Sequence, residues 1–265
     1  MRRFIPFLKS PPRVSVVRLQ GIIASAGRAA ALNDEGLAAL VEKAFTRGKP
    51  AAVALVINSP GGSPVQSSLI AARIRRLSAE KKVPVYAFVE DVAASGGYWL
   101  ATAADEIWVD DNSIVGSIGV ITAGFGFSDL ISRFGIERRV YTAGRSKSLA
   151  DPFQPEKASD VKRIKALQEQ IHGSFISQVK ARRGDKLADR DLFTGEVWVG
   201  QKAIDDGLAD GIGHLVPKMK EVFGDKVQFA QYSQRRPLLG RLGVRIVDDV
   251  AHSLEERASY ARFGL

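Results

Sequence analysis

Two apolar runs, each delivering the chain into a pair of glycines, restrict the possible folds of this sequence more than anything else in it. Residues 51–57 run into Asn58-Ser59-Pro60-Gly61-Gly62-Ser63-Pro64, and residues 83–89 lead to Ala93-Ala94-Ser95-Gly96-Gly97-Tyr98-Trp99. A strand that is apolar at successive positions must be covered on both faces, which is the condition of a central strand in a parallel sheet. Between the runs, Ser63 suits an N-cap and Pro64 a first helical residue. Ile70, Ile74 and Leu77 then fall on one side of the predicted helix, and Arg73, Arg75 and Arg76 read as its solvated face. Strands joined by one helix are expected to be neighbours. Their two glycine turns then face each other at the carboxyl edge of the sheet.

The rest of the chain continues the alternation. Residues 14–19 read as a strand, and Asn33 caps a helix with Leu37, Leu40, Val41 and Phe45 on one face. Short strands are expected at 106–110, 117–122 and 138–142, with a helix at 129–134. A long helix is predicted from Pro155 or Glu156 to about Arg183, with an apolar stripe of Ile164, Leu167, Ile171, Phe175 and Val179. Trp198-Val199-Gly200 opens a short helix that ends at Gly207. The pattern weakens after Gln228, before a last amphipathic segment carrying Val247, Val250 and Leu254. Strands alternating with helices predict an α/β fold. The expected organisation is a basic arm over 1–13, a main domain over 14–228 and a basic, amphipathic extension over 229–265.

Composition removes several classes of function. The 265 residues include no cysteine, which excludes disulfides, thiol catalysis and thiolate metal sites. His172, His214 and His252 are scattered outside any ligand spacing, so neither a metal nor another cofactor is expected. No run approaches the roughly 20 apolar residues of a membrane span, and the broken patch of Phe4, Ile5, Phe7 and Leu8 is too short for a signal-peptide core. The expected location is therefore cytoplasmic or peripheral to a membrane. The net charge of +9 sits at the ends: residues 1–33 and 226–247 together carry +11 with no acid, leaving −2 for the body. A near-neutral body argues against a nucleic-acid surface. Acid-free basic ends suit contact with an anionic membrane surface.

The chemistry centres on Ser95. A serine on a strand–turn–helix junction between alanines and glycines has its oxygen near free N–H groups, where negative charge can develop. The simpler role for it is to cap the helix that follows. With the two turns facing, the N–H groups of Gly62 and Gly96 form a candidate oxyanion hole, with Gly61 a less favoured donor. A nucleophilic serine needs a base. His172 sits in the middle of a helix beside the apolar stripe, away from any catalytic loop. Lys147, in the loop after the predicted strand at 138–142, is the better candidate for a Ser-Lys arrangement. A lysine can serve only if its ordinary pKa near 10.4 falls by roughly three units, as burial can bring about.

Several of these pieces, in this order, resemble the signal peptide peptidase A family of serine proteases. They are residues 56–62, 94–98, Gly116-Ser117-Ile118-Gly119-Val120, the Lys147 loop, and residues 198–210. The resemblance covers about residues 14–215. It implies a Clp protease/crotonase-like fold, with repeated β-β-α units around a mostly parallel sheet. It also implies Ser95 as nucleophile, Lys147 as general base, Gly62 and Gly96 as oxyanion donors, and peptide or protein substrates such as signal-peptide remnants or membrane-protein segments. Members of the family form rings, so a homo-oligomer is expected, and a single-copy chain can take its lysine from a neighbouring subunit. Neither the anchor segment nor the tandem second copy of other members is expected from these residues, and the lysine loop departs from the Tyr-Lys pair of the best-known members. Two other classes compete: a crotonase-like acyl-thioester enzyme with Glu90 or Asp91 as base, and a non-catalytic membrane-surface scaffold.

Overall fold

The computed structural model describes residues 11–25, 31–144, 146–234 and 257–265. The apolar N-terminal patch, the final segment with Val247, Val250 and Leu254, and most of the basic residues expected at the two ends lie outside them. Within the described residues, strands β1 (Arg13–Gln20), β2 (Ala52–Ser59) and β3 (Val85–Ala94) are the parallel centre of an eight-stranded sheet. Every residue of β2 is buried, as a strand covered on both faces requires.

Helix α1 (Asp34–Thr46) connects β1 to β2. Asn33 caps it, its side chain accepting from the Gly36 N–H at 2.8 Å. Helix α2 (Pro64–Lys81) connects β2 to β3 and is capped by Ser63. Its arginines do more than face solvent. Arg73 reaches Asp34 on α1, and Arg75 holds both the Ala103 carbonyl and the Asp105 carboxylate. The solvated-face reading holds only for Arg76, whose partner is Glu80 one turn along the same helix.

Strand β3 is longer than its apolar run because Glu90 and Asp91 extend it with partners of their own, Arg18 and Asn58. After β3 come α3 (Gly96–Ala101), β4 (Glu106–Val109) and β5 (Ile114–Gly116). β3 pairs with β4 through Tyr86–Phe88 and with β5 through Val92–Ala94, so one strand supports two in succession. Residues 117–122 and 138–142, expected as strands, are irregular: the Ser117 N–H donates to the Glu196 carbonyl, but among the described residues no strand pairs with either segment. Helix α4 (Ser128–Arg133) follows, then α5 (Ala158–Arg183), β6 (Val197–Val199), α6 (Gly200–Asp205), β7 (Gly211–Ile212), α7 (Leu215–Phe223) and β8 (Gln228–Tyr232). β6 runs antiparallel to β5. β8 pairs in parallel with β1 and carries the sheet across the expected boundary at residue 228. From the C-terminal residues, the Tyr260 hydroxyl donates to the Asn58 carbonyl at the end of β2.

The larger core packs α1, α2, α3 and the C-terminal half of α5 against one face of the sheet. Met219, Phe223 and Val227 cover part of the other face. The predicted stripe of α5 is only half used. Phe175 and Val179 are buried, whereas Leu167 and Ile171 are exposed. Among the described residues from 121 to 174, none is buried. This arm is held by its own contacts: Phe127 packs on Phe153 at 5.6 Å, and Arg138 lies over Phe153 while bonding Asp151 at 3.0 Å.

α5 is anchored at its far end by charge. Arg183, with 3% of its side chain exposed, bonds the Gly207 carbonyl and the Asp210 carboxylate, which also accepts from Lys186 and from the Ile107 N–H. Burial pushes the Asp210 carboxyl up, but the bonds from Arg183, Lys186 and Ile107 outweigh it and hold it below its ordinary value. A carboxyl depressed in the folded state stabilises the fold above its unfolded pKa of about 3.9, and that stability is lost as pH falls further. Asp210→Asn strands the buried Arg183 charge and is expected to cost about 3 kcal/mol in chemical denaturation at neutral pH. The difference between variant and wild type should shrink below about pH 4.

Candidate active site

The two glycine turns meet. A Cβ added to Gly61 would lie 2.8 Å from both the Ala94 carbonyl oxygen and the Gly96 nitrogen, and 2.9 Å from the Ser95 Cβ. Gly61 and Gly62 have φ of 102° and 140°, where a side chain is strained in any case. A Cβ on Gly62 would run into the Ile23 carbonyl oxygen. Backbone thus packs on backbone, at a separation only glycine permits.

Hydrogen bonding sorts the candidate donors. The Ile23 N–H donates to the Gly61 carbonyl at 2.8 Å, and the Ser63 N–H to the Ile23 carbonyl at 2.7 Å. This is a parallel bridge between Ile23 and Gly62, so the Gly62 N–H points away from Ile23. The Gly61 N–H instead donates to Ser59 Oγ at 3.2 Å, while Ser59 Oγ donates to the Gly21 carbonyl at 2.7 Å. Of the pair, Gly62 is the one free to face the serine. Gly96 is the first residue of α3, where helical N–H groups lack an intrahelical partner.

Ser95 has φ 51° and ψ −121°, a conformation strained for a residue with a side chain. Its backbone is fixed on both sides: its N–H donates to the Gly116 carbonyl at 2.8 Å, and its carbonyl accepts from Trp99 N–H at 3.0 Å. Its side chain makes no capping bond to α3, which removes the simple capping role. Ser95 is half-buried and lines a small cleft together with Gly62 and Gly96.

The other sequence candidates lie apart from this centre. Lys147 is exposed on the arm, its N–H donating to the Gly144 carbonyl, and no hydrogen bond joins it to Ser95. The neighbouring Ser146 hydroxyl is taken by Arg163. His172 Nε2 donates to the Ile118 carbonyl at 3.0 Å, which ties α5 to the loop after β5. Glu90 is forked by Arg18 at 2.7 and 2.9 Å, and Asp91 accepts from Asn58 Nδ2 at 2.5 Å. Among the described residues no three His, Asp or Glu side chains converge on a point that would hold a metal, and no helix is long and apolar enough to cross a membrane.

Two features escaped sequence reasoning. Ser59 holds the first turn in place, a role hidden in a motif whose glycines draw the attention. Trp99 forms part of the cleft, and its spacing of one helical turn from Ser95 is the only sequence signal for that role.

Comparisons with known proteins bear on the family and the fold. The model of peptidase family S49 matches residues 78–222. A Brucella melitensis protein named Na(+)/H(+) antiporter NhaA is 46% identical across the whole chain, which spans 39% of that protein. Protease 4 of Haemophilus influenzae is 32% identical over 77% of the chain and 33% of its own length. The chain thus spans between about a third and two fifths of these relatives. The solved structure of the 1510-N membrane-bound stomatin-specific protease, in mutant form, superposes with a TM-score of 0.52 at 14% identity, covering 84% of this chain and 98% of that one. This likeness identifies the fold as Clp protease/crotonase-like. The chain belongs to peptidase family S49.

Proposed function

We propose that this chain is a serine endopeptidase in which Ser95 is the nucleophile and Lys147 the general base. The observation that carries the reading is the strained, half-exposed Ser95 held against the Gly61-Gly62 turn, with the N–H groups of Gly62 and Gly96 beside it. In this reading the scissile carbonyl oxygen lies between those two N–H groups. Ser95 Oγ bonds to the carbonyl carbon as its proton passes to the lysine amine. The oxyanion collapses, the C–N bond breaks, and the leaving amine takes the proton back from the lysine. Water then cleaves the acyl-enzyme by the same route in reverse. The substrates are peptides or membrane-protein segments in extended conformation.

The lysine makes assembly part of the proposal. A base must be neutral and withdrawn from water, yet Lys147 is exposed on an arm without a single buried residue among those described. The arm also exposes Phe125, Phe134, Ile136 and Tyr141, at 82, 73, 58 and 92% of their surface. A second copy of the chain packing on this arm buries both, and brings the lysine of one subunit to the serine of the next. An acyl-thioester enzyme has less support, because Glu90 and Asp91 are engaged by Arg18 and Asn58.

Hydrolysis of unfolded casein tests the reading. Ser95→Ala and Lys147→Ala are each expected to lose activity by at least about 10³-fold. Mixing the two inactive proteins after subunit exchange should restore part of it, since some interfaces pair an intact serine with an intact lysine. Casein hydrolysis that persists in Ser95→Ala contradicts the nucleophile. Because Ser95 holds a glycine-like φ, Ser95→Gly should be inactive yet more stable than Ser95→Ala by about 1 kcal/mol in chemical denaturation.

A further inference from the structure

The cleft beside Ser95 has a floor, and the floor is high. Trp99 stands one helical turn after Ser95, and it lines the same cleft as Ser95, Gly62 and Gly96. Phe175 of α5 stacks on the indole, with 4.8 Å between ring centroids and 20° between planes. Both rings are buried, at 7 and 3% exposure, so neither is free to swing aside. Val120, and Ile171 one turn before Phe175, form the walls. The space left is about 10 Å³, roughly enough for one water molecule.

Resting on the proposed role of Ser95, we infer that this cleft receives the side chain of the residue whose carbonyl is attacked, and that the Trp99–Phe175 stack limits that residue to alanine, glycine or serine. With the carbonyl oxygen between Gly62 and Gly96 and its carbon on Ser95 Oγ, the α-carbon of that residue is one bond away. Its β-carbon then comes over the cleft. A methyl group fills the space; a leucine or phenylalanine side chain meets the indole. The lining is apolar apart from the serine and backbone, so a charged side chain would lose its hydration with nothing in return. Specificity is therefore set by size, by two aromatic rings that also belong to the core.

A series of fluorogenic peptides differing only at that residue (glycine, alanine, leucine or phenylalanine) tests the inference by kcat/KM. Wild type should prefer alanine to phenylalanine by about 10- to 200-fold. The ratio should fall at least about tenfold in Phe175→Leu, and also in Ile171→Ala. Ile171 is 38% exposed, so its truncation leaves the core intact and covers the case in which Phe175→Leu fails to fold. A wild type that cleaves phenylalanine and alanine peptides equally, with all activity lost in Ser95→Ala, overturns the pocket but keeps the nucleophile. Unchanged ratios in both variants overturn the role of the stack. Activity that persists in Ser95→Ala overturns the nucleophile and the pocket together.

Discussion

The close approach of two backbone turns is the constraint on which the rest of the site depends. Strands β2 and β3 pair along their length, and each ends in a glycine pair, so the turns must pass within van der Waals contact of each other. A side chain at Gly61 or Gly62 would open that contact, because its Cβ falls on the Ala94 carbonyl or the Ile23 carbonyl. The contact does two things at once. It leaves Gly62 and Gly96 beside Ser95, and it sits next to a Ser95 whose backbone is left-handed in φ and whose side chain makes no capping bond to α3. The strain stored at Ser95, of order 1–3 kcal/mol, is held by hydrogen bonds to Gly116 and Trp99 and by the buried core under α3.

This centre was legible in the sequence because its determinants are local. An apolar run, a capping serine, a proline at the first helical position and a glycine pair are each signals within a few residues, and they agree with one another. Asn33 and Ser63 cap the helices they were expected to cap. Non-local pairing was harder to see. Residues 117–122 and 138–142 have a strand's composition but no strand paired with them among the described residues, and periodicity cannot report a missing neighbour. The stripe on α5 is continuous in sequence, yet the sheet ends before it does, leaving Ile171 at the rim of a cleft and Leu167 in solvent. Arg73 and Arg75 looked like a solvated face because their partners, Asp34 and Asp105, are 39 and 30 residues away.

The body and the arm obey different physics. The body buries its apolar residues around α3 and fixes the far end of α5 with the Arg183–Asp210 pair. The arm exposes aromatic residues that a single domain of this size does not ordinarily leave in water, and it carries the lysine that the proposed chemistry requires. In the proposed reading, a nucleophile on the body and a base on the arm tie activity to assembly.

Mapping the site of reaction with a fluorophosphonate probe addresses the central claim most directly. The folded wild-type protein at neutral pH should carry one adduct, on the tryptic peptide containing Ser95, and the rate of its formation should fall in Lys147→Ala. An adduct on any other serine, or none on Ser95 in folded protein that still hydrolyses casein, would contradict the account.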